Sequence, residues 1–188
     1  NIALGHDSLF SNTTGDSNTA IGYQALYNNV SGFYNIGIGS RALNTNTTGF
    51  SNIAIGAEAL YQSSASNNIG IGNYALQLNT TGVNNLAIGV DANRNNTTGS
   101  NNIALGQQAL LNNTTGASNT SVGFQTLRAN TTGSFNTAIG NSSQYNNTSA
   151  TANTSVGSYS LYLNTTGSLN TAMGSNALYS NTTGTDNA

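Results

Sequence analysis

Cysteine, lysine, proline and tryptophan do not occur in the 188 residues. Without cysteine there are no disulfides and no thiolate metal sites. Charged side chains make up 4% of the chain, against roughly 25% in an ordinary soluble domain. The net charge of −2 leaves no basic surface for nucleic acid or anionic lipid. Hydrophobic residues reach 36%, but no run approaches the ~20 needed to cross a bilayer as a helix, so no membrane insertion is expected of this segment. Asn, Thr, Ser and Gly fill the space that charges usually occupy. Such a composition can signal disorder; a strict period argues against that here.

The chain divides into units of 17 residues, beginning at Asn1, Asn18, Asn35, Asn52, Asn68, Asn85, Asn102, Asn119, Asn136, Asn153 and Asn170. The unit from 52 to 67 is one residue short and has lost its "NTTG". The idealised unit reads N-[IT]-A-I-G-x-x-A-L-Y-x-N-T-T-G-x-x. A fixed short period is the mark of a stacked repeat. Residues 1–188 therefore read as one repeat domain. The chain starts at the first position of a unit and stops just inside a twelfth, which we take as a window on a longer fibre.

The fourth position is always a medium or large aliphatic, from Leu4 and Ile21 to Val156 and Met173. The ninth is Leu except at Asn93 and Gln144. These two columns are the expected core. A unit this short cannot hold a useful helical hairpin. The N-T-A-I-G stretch suits a short strand, and a second strand is expected over A-L-Y. The fifth position is Gly in every unit, which marks a corner needing positive φ or close backbone approach. The "NTTG" run reads as a second corner, with Asn and Thr side chains bonding nearby backbone. The fold class is all-β, a parallel β-solenoid or β-roll of eleven coils. Rungs ~4.8 Å apart give a rod on the order of 50 Å long. The first-position Asn is expected to stack as a ladder. With Ile21 and its equivalents inward, Ala20 and its equivalents would form a flat outer stripe, against which a second copy of the rod could lie.

The phrase "NTAIGYQAL" at 18 to 26, with "NNTTG" at 95 to 99 and 112 to 116, resembles the YadA-like head repeats of trimeric autotransporter adhesins, and repeats of related bacterial surface and tail-fibre-domain proteins. The shared step is "AIG" at 20 to 22, 54 to 56, 87 to 89 and 138 to 140, or "ALG" at 3 to 5 and 104 to 106. The resemblance covers the whole chain. It implies a left-handed roll, three chains side by side, and binding to matrix or host surfaces. The usual adhesin repeat is shorter than 17, and this chain shows no neck, stalk or anchor.

Catalytic groups are few. His6 is the sole histidine, and Asp7 beside it would point to the opposite face of a strand. Asp7, Glu58 and Asp91 share the seventh position but lie several rungs apart, with Arg41 in the same column. No calcium loop, Walker motif or dinucleotide pattern occurs. Neither enzymatic activity nor a cofactor is expected. Tyr27, Tyr61, Tyr145, Tyr162 and Tyr179 recur at the tenth position, either as an aromatic cover for the second strand or as a contact surface for sugars. The N-x-S/T pattern at Asn12, Asn29, Asn46, Asn79, Asn96, Asn113, Asn130, Asn147, Asn164 and Asn181 either makes the turn or accepts glycans in a line.

The leading functional expectation is a structural or adhesive fibre module, extracellular or at the cell surface. Its partners would be itself, as a trimer or fibril, and host surfaces or glycans. One alternative is an ice-binding solenoid using Thr13, Thr47, Thr80, Thr97, Thr114, Thr131, Thr165 and Thr182. Another is a carbohydrate-binding tail-fibre shaft.

Overall fold

The computed structural model describes residues 1–188. Each unit supplies one three-residue strand. In chain order these are β1 (Ile2–Leu4), β2 (Thr19–Ile21), β3 (Ile36–Ile38), β4 (Ile53–Ile55), β5 (Ile69–Ile71), β6 (Leu86–Ile88), β7 (Ile103–Leu105), β8 (Thr120–Val122), β9 (Thr137–Ile139), β10 (Thr154–Val156) and β11 (Thr171–Met173). They form a single sheet in sequential order. All pairs are parallel and without slip, so Ala20 meets Gly37 and Gly37 meets Ala54. There is no helix. The chain is a β-solenoid of stacked coils.

The A-L-Y segment is not a second strand. It runs as consecutive turns in which the seventh and ninth residues take left-handed backbone, as at Gln24 (φ 53) and Leu26 (φ 52). Tight turns close the coil locally, with Ala25 N–H donating to Gly22 and Asn29 N–H to Leu26. The turns still pair between coils: Leu26 N–H reaches the Ala42 carbonyl at 2.9 Å. A residue in left-handed backbone breaks the pleat, yet every second amide still points along the stack.

The two faces of the strand are reversed from expectation. The third position lies inside: Ala20, Ala54, Ala87, Ala104 and Ala138 are fully buried. The fourth lies outside, with Ile55, Ile88 and Ile139 between 37% and 40% exposed. Coil width is the cause. A Cβ on Gly37 would already sit 3.3 Å from the Ala42 carbonyl oxygen and 3.3 Å from Leu26 Cγ, and one on Gly70 would sit 3.1 Å from the Ala75 oxygen. No isoleucine fits there. The core is therefore the Leu column of position nine, packed on small residues at positions three and eight: Leu26, Leu43, Leu60, Leu76, Leu110 and Leu127 are all fully buried.

The fifth-position corner is as expected. Gly22 has φ 127, and a Cβ on it would lie 2.7 Å from the carbonyl oxygen of Gly39 in the next coil. Only glycine tolerates both the conformation and the approach.

Two asparagine ladders fill the rest of the interior. In the first, Oδ1 of Asn18 accepts the backbone N–H of Asn35 at 2.9 Å, and so on along the stack. The second, at position twelve, passes from Nδ2 of Asn96 to Oδ1 of Asn79 at 2.7 Å and from Nδ2 of Asn113 to Oδ1 of Asn96 at 2.8 Å. The ladders share an acceptor in every coil except that of 52–67, where Ser63 replaces the asparagine. The Gly32 carbonyl takes Asn18 Nδ2 at 2.7 Å and Asn29 Nδ2 at 3.0 Å. Apart from Asn46 Oδ1, the ladder amides are thereby satisfied in register, and a coil cannot slip without breaking the columns.

Candidate interaction surface

The outward strand face carries the second and fourth positions. From β3 to β7 each rung presents two aliphatic side chains: Ile36 with Ile38, Ile53 with Ile55, Ile69 with Ile71, Leu86 with Ile88, Ile103 with Leu105. From β8 onward the second position is Thr. No charged residue occurs in any strand. The face exists because the chain alternates while the interior accepts only the small partner of each alternation. Aromatic residues border it: Phe33 stacks on Phe50 at 5.0 Å in the sixteenth column, and Phe124 in the sixth column is exposed.

The tyrosines of position ten lie on the turns, away from the strand face. Tyr145, Tyr162 and Tyr179 form one stack, with centroids 5.3 and 5.2 Å apart. Arg128 lies 5.6 Å over the Tyr145 ring. The ring faces of Tyr145 and Tyr162 are therefore covered by their own column, and edges and hydroxyls face out. Burial, followed by repulsion from Tyr145, Tyr179 and Tyr159, raises the Tyr162 hydroxyl above the ordinary tyrosine pKa. Tyr27 stacks on Phe10 at 5.1 Å, and Arg41 lies 5.5 Å over Tyr61.

Charges gather on this same side. Arg41 pairs with Glu58 in the adjacent coil. Gln77 Nε2 donates to Glu58, Arg94 Nε donates to Gln77 Oε1 at 2.8 Å, and Arg94 pairs with Asp91 at 3.2 Å. Groups from positions seven and ten thus link into one network in which the charges of Arg41 and Arg94 are offset by Glu58 and Asp91, which sequence spacing alone did not reveal. His6 and Asp7 do not point apart. They lie in a turn with Nδ1 to Oδ2 at 3.0 Å, and the His6 side chain is 75% exposed. No cluster of three His, Cys, Asp or Glu side chains forms, and no cavity opens in the coil.

The N-x-S/T asparagines are the second ladder. Asn29, Asn46, Asn79, Asn96, Asn113, Asn130, Asn147 and Asn164 are fully buried, and their amide nitrogens donate inside the coil. A glycan on any of them requires the ladder to open at that rung. Asn12 and Asn181, in the outermost coils, are less enclosed. The threonines after them turn their hydroxyls along the stack. Thr97 donates to the Thr114 carbonyl at 2.9 Å and Thr114 to the Thr131 carbonyl at 3.0 Å.

Comparison with family models, with curated proteins and with solved structures returns no match. The functional reading rests on the geometry of these surfaces.

Proposed function

We propose that the chain is a structural and adhesive module of an extracellular fibre, a stiff rod that packs side by side with further copies of itself. This is the arrangement implied by the resemblance to adhesin head repeats. One observation carries the reading: five consecutive rungs, β3 to β7, present paired aliphatic side chains to solvent and no charge. A contiguous apolar surface of this kind marks an association site in a soluble protein. Five rungs ~4.8 Å apart make a strip ~24 Å long, and at ~10 Å wide it buries roughly 500 Å² between two facing rods, a weak contact taken singly that repetition along a fibre multiplies.

The interior supports the same reading. Each coil encloses little more than one Leu and two small residues, so lateral packing supplies the apolar burial that a thin coil lacks. Adhesive contact with glycans or host surfaces falls to the exposed tyrosine edges, whose rings are held rigid by stacking. The test is the mass of the purified protein by light scattering across a wide concentration range. A trimer or larger assembly is expected, and Ile71→Asp should dissociate it. A monomer at every concentration rejects the reading. A glycan array tests the adhesive role separately.

A further inference from the structure

Thr120, Thr137, Thr154 and Thr171 stand in one column at the second position of β8 to β11, paired rung to rung without slip. Val122, Ile139, Val156 and Met173 form the column beside them. Both columns point away from the coil, because the intervening Ser121, Ala138, Ser155 and Ala172 are the buried ones. The hydroxyls here differ from those of the turn threonines. Thr97, Thr114 and Thr131 donate to the next coil, whereas the side chains of Thr120, Thr137, Thr154 and Thr171 have no partner in the chain and meet solvent. Between Thr120 and Met173 the one charged residue is Arg128, which lies over Tyr145 on the turn side.

We infer that this segment of the strand face is a water-ordering surface that adsorbs to ice. The ladders fix the rungs ~4.8 Å apart, and side chains two residues apart along a strand are ~6.6 Å apart. Free hydroxyls and methyl groups thus lie on a rigid grid with spacings close to the oxygen repeats of ice. The absence of charge matters, because a charged group would bind water in its own geometry and disrupt the grid. β-Branched Thr, Val and Ile have stiff χ1 angles, so little side-chain freedom is lost on adsorption. Ice is favoured over a protein partner because a protein interface would leave four hydroxyls to be matched one by one, while a water lattice supplies donors and acceptors at every rung. The proposal relocates ice contact from the Thr13 column, where Thr13, Thr80, Thr97, Thr114, Thr131 and Thr165 commit their hydroxyls to the stack, and is independent of side-by-side packing through β3 to β7.

Thermal hysteresis and ice recrystallisation inhibition, measured on the whole chain, test it. The expected result is a freezing-point gap, faceted crystals and slowed grain growth. The double variant Thr137→Tyr, Thr154→Tyr should abolish both activities while leaving circular dichroism and melting temperature unchanged. The double variant Thr132→Tyr, Thr166→Tyr, the same added bulk at exposed corner positions off the strand face, should leave them intact. Absence of both activities in the unaltered protein overturns the proposal, as does full activity in the double variant. Light scattering on the same samples reports the lateral reading separately.

Discussion

Ser63 lies one coil beyond Asn46 at the same position, and the Asn46 Oδ1 is left buried without a donor. Every neighbouring rung of that ladder supplies an amide there, as Asn46 Nδ2 does for Asn29 Oδ1 at 2.9 Å. Ser63 Oγ is itself buried and unpaired. The cause is the short unit from 52 to 67. One coil earlier, the Val30 and Ser31 amides both reach the Thr47 carbonyl. No equivalent bonds run from Thr47 and Thr48 to Ser64.

Ser63→Asn should restore the ladder. One regained buried hydrogen bond contributes ~1 kcal/mol, which is about 2 to 4 °C in melting temperature for a chain of this size. Hydrogen exchange should show the amides of 47–49 and 64–65 exchanging fastest among the inner corners of the stack, and the substitution should slow them. Uniform protection along the stack would contradict this account.

The Leu column has two polar substitutes, and their environments differ. Asn93 is fully buried with neither Oδ1 nor Nδ2 bonded. Gln144 donates to the Thr137 carbonyl at 3.1 Å and to Ser155 Oγ at 2.9 Å, within a group that includes Ser143 and Ser160. Asn93→Leu therefore removes two unpaired polar atoms and fills the column, raising stability by about 2 kcal/mol. Gln144→Leu also removes an unpaired atom, Oε1, but takes the Nε2 donor from the Thr137 carbonyl and buried Ser155 Oγ, so its gain should be smaller. Thermal melts of the two variants, compared directly, decide the matter.

The period, the fifth-position Gly, the Leu column and the first Asn ladder are legible in the sequence because each is an invariant or near-invariant column with one physical requirement. The orientation of the strand is not legible from hydrophobicity, since alternation defines two faces without saying which is enclosed. The signal lay in size. The third position runs only from Gly37 through Ala20 to Ser121, whereas the fourth ranges from Val122 to Met173. A column capped in volume is enclosed, and one that tolerates varied bulk is open. The second ladder was hidden by its likeness to a turn and a glycosylation pattern. Its mark is that Asn gives way only at Ser63, where the corner is shortened. The Arg41–Glu58 ion pair and the Arg94–Gln77 hydrogen bond are not legible because coil stacking brings positions 17 residues apart together, and the local Arg94–Asp91 pair depends on the turn that joins positions seven and ten.

Ala87 and Ile88 in β6 form a test of orientation within one dipeptide. Ala87→Leu forces a branched side chain into an interior that barely admits a Cβ, and overpacking of this kind costs about 1 to 3 kcal/mol or more. Ile88→Ser alters only the outer face and should change stability of the single rod by less than about 1 kcal/mol. Chemical denaturation checks both. The reverse ranking would return the isoleucines to the core.

Alkaline pH should loosen the C-terminal end of the turn side. Tyr162 has a raised pKa, first from desolvation and then from repulsion by Tyr145, Tyr179 and Tyr159. The unfolded value is about 10. A raised folded value means that the stabilising contribution is complete below about pH 10 and is lost as pH rises through the folded pKa. Stability should therefore hold flat through neutral pH and fall on the alkaline side of the ordinary tyrosine range. Tyrosinate absorbance, followed against pH, should show a late-ionising component that disappears in Tyr162→Phe. That variant should also lose part of the alkaline destabilisation, since phenylalanine keeps the stack but carries no proton to release. An unchanged absorbance titration in Tyr162→Phe would place the late component on another ring and remove this residue as its source.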